Sequence, residues 1–197
     1  MSESAPHPGR LAKLRACLQR SWRSHLGTVG VALAAMLAVN AWQTRHVPGG
    51  PAPDFKVMAV LGPGAPAVPG VANGADLSLT QWRAAHPGRA VAVHIWSDWC
   101  PFCQLEESSV TRVAADWPVL TVASRSGEEA QVARVLAQRQ LPWVASLDPK
   151  GNVSQAYGLS AVPAWVVLDA HGHIRGVATG YTTELGMRAR LWWASWF

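Results

Sequence analysis

Apolar and polar positions divide the chain into three regimes. Residues 1–25 are polar and basic. Residues 26–42 (LGTVGVALAAMLAVNAW) carry no charge and one strongly polar side chain, Asn40. A run of this length sits at the short end of the ~17–25 residues that cross a bilayer as a helix, and nothing in it is amphipathic. From about Val68 onward, short apolar runs alternate with segments of helical period. Ala90–Trp96 is apolar on both faces, which predicts a central strand covered on each side. Pro101–Trp117 predicts a helix with a core stripe of Val110, Val113, Ala114 and Trp117, ended by Pro118. Val119–Ala123 predicts the next strand. Ser126 and Glu129 have the spacing of a capping box, predicting a helix over 127–140 with Val132, Val135 and Leu136 inward. Val144–Leu147 predicts a strand, Asp148–Asn152 a turn and Ser154–Tyr157 a short helix. Ala164–Leu168 and Ile174–Thr179 predict a hairpin, and Thr182 or Thr183 caps a final helix. Upstream, Phe55–Leu61 is a short run of strand type, Leu77–Leu79 alternates like an edge strand, and Thr80–Ala85 fits a short helix.

Parallel strands need crossover helices, while the last hairpin is antiparallel, so the expected sheet is mixed. The expected fold class is α/β: a three-layer α/β/α domain with a mixed central sheet, plus one N-terminal transmembrane helix. The expected segments are a basic tail (1–25), a membrane anchor (26–43), a Pro/Gly-rich linker (44–66) and one domain (67–197).

Charge sharpens the membrane reading. The formal net charge is +5 over 197 residues. Arg10, Lys13, Arg15, Arg20 and Arg23 against Glu3 give the tail +4, leaving +1 for everything after it. The basicity is therefore local, and a nucleic-acid-binding face is not expected. Positive charge ahead of the apolar run keeps the tail in the cytoplasm and puts the domain outside; Trp22 and Trp42 flank the run as interfacial aromatics do. Val39-Asn40-Ala41 loosely fits a signal cleavage site, but the long basic tail favours an uncleaved anchor. Cys17 stays on the cytoplasmic side and is assigned no function.

The candidate chemistry is Trp99-Cys100-Pro101-Phe102-Cys103 at the first long strand-to-helix junction. Pro101 suits the first helical position, which makes Cys100 the N-cap. The unpaired N–H groups of the first turn would then favour a thiolate on its sulfur. Cys103, one turn on and more covered, is within disulfide reach. Cys100 is thus the expected nucleophile and Cys103 the resolving thiol. A zinc site would need about four ligands. The chain has three cysteines, and only His171 and His173 could add to the pair, so neither a metal nor a cofactor is expected.

These motifs, together with Arg125-Ser126-Gly127, Ala161-Val162-Pro163 and Gly186–Ala194, resemble the thioredoxin superfamily over about Val68–Phe197. In particular they resemble the membrane-anchored TlpA/ResA-type proteins and, among them, the suppressor-of-copper-sensitivity D type of protein disulfide oxidoreductase. The resemblance implies a single-pass protein of the bacterial inner membrane. Its periplasmic domain would exchange disulfides with protein thiols and be recycled by a membrane electron-transfer partner. It implies that Pro163 is a cis-proline facing the dithiol and that Val162 offers its backbone to an extended substrate. Trp99, Pro101 and Phe102 would then form the docking surface. His94 stands where such thioredoxins carry a buried acid. It could move the proton of the resolving thiol, or be a core histidine. Trp96 and Trp165 are either core or platform, and Glu106 and Glu107 read as surface residues. Two other functions are compatible with the same thiols: Cu(I) binding in copper tolerance, since soft sulfur suits that ion, and a role in cytochrome c maturation.

Overall fold

The computed structural model describes residues 25, 27–31, 34–35 and 38–197. Residues 1–24 of the basic tail and parts of the apolar run expected to span the membrane lie outside the described residues. Residues 38–43 are helical. Among the described residues, no helix is long and apolar enough to cross a membrane. The chain divides into two units, Met1–Trp42 and Gln43–Phe197; the second carries the sheet.

Seven strands and five helices follow in order: β1 Lys56–Leu61, β2 Asp76–Ser78, α1 Leu79–Ala84, β3 Val91–Trp96, α2 Pro101–Asp116, β4 Val119–Ser124, α3 Glu129–Gln138, β5 Val144–Asp148, α4 Asn152–Ala156, β6 Ala164–Leu168, β7 Ile174–Thr179 and α5 Glu184–Ala194. The sheet order is β2-β1-β5-β4-β3-β6-β7. β3 pairs with β4, and β4 with β5, in parallel; the outer pairings are antiparallel. The mixed sheet agrees with the sequence reading, and β2 is an edge strand as its alternation predicts. The stretch 44–66, expected as a linker, contributes β1. Gly62 lets β1 close on its neighbour: a Cβ there would stand 2.0 Å from the Leu141 carbonyl oxygen.

Every residue of β3, β4, β5 and β6 is buried, because helices cover both faces. On one face α2, α3 and α5 bury Val110, Val113, Leu136, Met187 and Leu191 against Trp96 and Trp165. On the other, α1 and α4 bury Leu79, Trp82, Val153 and Tyr157 against Val91, Val93 and Ile95. The alternation along β3 sorts its side chains between the two layers. Trp96 and Trp165 are core residues, each 1% exposed. Of the two readings open for them, the platform is excluded by burial.

One local prediction needs correction. Ser126 opens no capping box: α3 begins at Glu129, and its N-cap, Glu128, makes no side-chain cap bond. The Ser126 hydroxyl instead donates to the Ser124 carbonyl and accepts from the Asp98 N–H, so a loop contact outcompetes the helix end. The box that does form is at α1, where Ser78 accepts from the Gln81 N–H and Gln81 from the Ser78 N–H.

Candidate active site

β3 runs through the middle of the sheet and delivers Cys100 to the N-terminus of α2. Cys100 is the N-cap with Pro101 at the head of the helix, and its Sγ accepts the Cys103 N–H at 3.2 Å. Both cysteines are free and buried, at 3% and 1% exposure. Cys103 is therefore the more covered, as expected, though by a narrow margin. The Cys100 thiol points at the Val162 carbonyl oxygen, 3.7 Å away. The Val162–Pro163 bond is cis, and Pro163 is buried while Val162 is half-buried.

Around the dithiol the surface is apolar. Trp99, Phe102 and Leu105 are 61%, 57% and 66% exposed, and Pro101 is exposed beside them. Three hydrogen bonds tie the β3–α2 loop to the end of β4 and the loop after it: Ser97 Oγ to the Ser124 carbonyl, Asp98 N–H to Ser126 Oγ, and Trp99 Nε1–H to the Arg125 carbonyl. A groove of about 270 Å³ opens between these loops and Val162. A second cavity, about 400 Å³, is lined by Trp82, His86, Trp117 and Trp143 and touches neither cysteine.

Beneath the dithiol lies a feature that corrects the sequence reading. Glu106, expected at the surface, is 1% exposed. Positions 103, 106, 110 and 113 share one face of α2 at helical spacing, so extending the Val110–Val113 stripe backwards would have found it. One Glu106 oxygen accepts the Thr182 N–H at 2.9 Å; the other lies 3.8 Å from His94 Nδ1. Burial pushes the Glu106 carboxyl up to about 7, the Thr182 bond opposing it. Burial also pushes the Cys103 thiol above its ordinary range, helped by its interaction with Cys100 and by the charge of Glu106. Glu107 is half-buried and pairs with Arg139 at 2.6 Å.

His94 is fully buried, packed against the rings of Trp143 and Trp165, and neither ring nitrogen has a hydrogen-bond partner. Burial pushes it down to about 3, a weaker interaction with the Ala164 backbone opposing it, so the ring is neutral at neutral pH. The group that titrates near neutrality under the dithiol is Glu106. The sign for stability follows: the unfolded chain takes up the His94 proton near 6.5 and the folded chain only near 3. His94 therefore supports the fold above 6.5, and that support is lost as pH falls from 6.5 towards 3, by ~1.4 kcal/mol per unit. His94→Asn is expected to retain more of its stability across this window, read as denaturation midpoints between pH 3 and 7. An unchanged acid limb would exclude His94 as its cause.

His171 and His173 sit on the β6–β7 turn, where buried Asp169 accepts both their N–H groups and the Arg175 guanidinium. Among the described residues, no group of three or more His, Cys, Asp or Glu could hold a metal ion. At the C-terminus, Leu191 and Ala194 pack inward while Trp192, Trp193, Trp196 and Phe197 are exposed.

A helix-capping dithiol at the end of a central strand, opposite a cis-proline loop, defines a thioredoxin-like domain. Solved structures share the fold. One is a thiol:disulfide interchange protein of the thioredoxin family from Chlorobium tepidum TLS (TM-score 0.57, 18% identity, 75% of this chain and 97% of that one). Another is the exposed lipoprotein thioredoxin of Streptococcus pneumoniae strain TIGR4 (TM-score 0.55, 21% identity, 71% and 98%). The chain belongs to the Redoxin family, whose model matches residues 48–190. It is 31% identical over 123 residues to a thiol:disulfide interchange protein DsbE homolog of Paracoccus denitrificans, covering 62% of this chain and 68% of the relative. It is 30% identical over 106 residues to a thioredoxin-like protein of Haemophilus influenzae, covering 53% of this chain and 63% of the relative. A thiol-disulfide oxidoreductase ResA of Halalkalibacterium halodurans is 29% identical over 101 residues, 49% of this chain and 57% of the relative. The match thus spans about three fifths of the length of these curated relatives.

Proposed function

We propose that the chain is a protein thiol–disulfide oxidoreductase of the bacterial envelope, tethered by residues 26–43 and working through Cys100 and Cys103. The observation that carries this reading is the Cys100 sulfur, held by the Cys103 N–H at 3.2 Å and facing Val162–Pro163. Written for the reduced dithiol, the Cys100 thiolate attacks one sulfur of a substrate disulfide. A mixed disulfide forms and the first substrate thiolate leaves. Cys103 then gives its proton to Glu106 and attacks the Cys100 sulfur, and the second substrate thiolate leaves. Two electrons pass to the substrate and Cys100–Cys103 becomes a disulfide. The reverse sequence oxidises a dithiol, and which direction prevails depends on the potential of the couple and of its recycling partner.

Trp99, Pro101 and Phe102 form the docking collar in this reading, and Val162 offers its backbone to an extended substrate. His94 keeps the neighbourhood of Glu106 apolar and neutral. The tether rests on the uncharged run 26–42 preceded by positive charge, which directs the domain to a compartment where disulfides persist. Equilibrating residues 43–197, a compact unit by itself, against a thiol–disulfide buffer tests the reading. A reversible two-electron couple is expected. A value near about −270 mV marks a reductase and one near about −120 mV a disulfide donor. The absence of any reversible couple would refute the proposal.

A further inference from the structure

Arg125 stands on the groove beside Cys100 with no role in the exchange chemistry. Its backbone is left-handed, φ +51, a conformation that non-glycine residues adopt at a cost of roughly 1 kcal/mol or more. Three contacts hold it there. Its N–H donates to the Asp148 carbonyl, its carbonyl accepts the Trp99 indole N–H at 3.1 Å, and its guanidinium lies on Gly151, where a Cβ would come within 2.7 Å of Nε. The residue is exposed, and it forms no ion pair with any described residue.

Three of the four acids on flanking elements are engaged elsewhere. Asp98 accepts from Gln131, Asp148 from Ser124 and Val153, and Glu129 from Asn73. Glu128 is exposed at the head of α3, and Lys150, next to Gly151, adds a second exposed cation to the same turn. The groove itself is lined by Trp99, Leu159 and Val162 on its apolar side and by Ser124 and Ser154 on its polar side. Those two hydroxyls bond to each other at 2.9 Å, and Arg125 is the charged residue among those that line the groove.

We propose that Arg125 is a specificity-determining residue: it selects extended polypeptide substrates that carry a carboxylate side chain beside the reactive cysteine. The inference rests on the oxidoreductase reading and adds the substrate class. A substrate strand passing Val162 brings its cysteine to Cys100 and a neighbouring side chain into the groove between Trp99 and Arg125. A carboxylate there gains a charge-assisted, bidentate contact with a planar guanidinium already fixed in place. A lysine there meets like charge. A rim charge of this kind acts mainly on the association rate and fades with salt.

The test uses residues 43–197 in the dithiol form and disulfide-bridged peptides that differ only in having Asp, Asn or Lys beside the cysteine. Oxidation of Cys100–Cys103 is followed by alkylation and mass spectrometry. The Asp peptide is expected to react about fivefold faster than the Asn peptide at low ionic strength, as suits one screened charge contact, with the Lys peptide slower still. The Asp preference is expected to collapse towards one in roughly 0.5 M salt and in Arg125→Gly, a substitution that the left-handed backbone tolerates. Arg125→Lys should retain part of it. Equal rates for the three peptides, or a preference that survives in Arg125→Gly, would overturn the assignment while leaving the oxidoreductase intact. No reaction with any peptide would overturn the parent reading, and this one with it.

Discussion

Replacing Cys103 by serine is expected to leave a protein that reacts once and stops. Cys100 keeps its place at the head of α2, and serine still presents a backbone N–H to its sulfur. The first exchange therefore proceeds. A hydroxyl cannot displace the substrate from the mixed disulfide at neutral pH, so the adduct accumulates. Non-reducing mass spectrometry should find the protein heavier by one substrate chain, with steady-state turnover at the uncatalysed level. Cys100→Ser should give neither adduct nor turnover. Sustained turnover in the Cys103 variant would mean that resolution belongs to another thiol, and the roles drawn from the 3.2 Å contact would have to be reassigned.

Glu106→Gln is expected to slow the second half of the reaction and to stabilise the protein. Burial holds the Cys103 proton on its sulfur above the ordinary thiol range, so resolution needs a nearby acceptor. Glu106 lies one turn along the same face and titrates at about 7, where an acid–base group works best at neutral pH. Glutamine keeps the acceptor for the Thr182 N–H but takes no proton. Resolution should slow by roughly 100-fold, and the rise in rate as pH passes through about 7 should vanish. The stability effect has the opposite sign. The unfolded carboxyl loses its proton near 4.5 and the folded one near 7, so the wild-type fold loses stability as pH rises between these values. The variant lacks that loss and should exceed wild type by about 3 kcal/mol above pH 7. Denaturant midpoints at pH 5 and 8, with quenched-flow measurement of the mixed disulfide, check both halves. A variant matching wild type in resolution rate from pH 5 to 9 would remove Glu106 from the mechanism.

These two experiments divide the site according to how it can be read. Cys100, Pro101 and Cys103 were legible because their chemistry depends on spacing along one helix. An N-cap thiol, a proline at the first position and a thiol three residues on are local facts, and the tertiary structure left them in place. The strands β3 to β7 were legible because burial on both faces demands apolar runs that polar turns interrupt. Glu106 was misread because a carboxylate near a helix start has a sufficient local explanation in the helix dipole. What hides it from solvent is the layer laid over it: Thr182 from the β7–α5 loop and His94 from β3. Ser126 failed for a related reason, since the hydroxyl had two sets of partners and only the loop packing chose between them.

The element order and the pair of thiols at the head of α2 were already present in the sequence, because each depends on interactions within about one helical turn or one strand. The tertiary structure alone decided which face of α2 turns inward, which loop meets the Cys100 sulfur, and where charge is hidden or offered. It buries Glu106, leaves the His94 ring nitrogens without a hydrogen-bond partner, and leaves Arg125 exposed on Gly151. These outcomes depend on desolvation and on contacts between elements far apart in the chain, and neither is encoded in any short stretch of it.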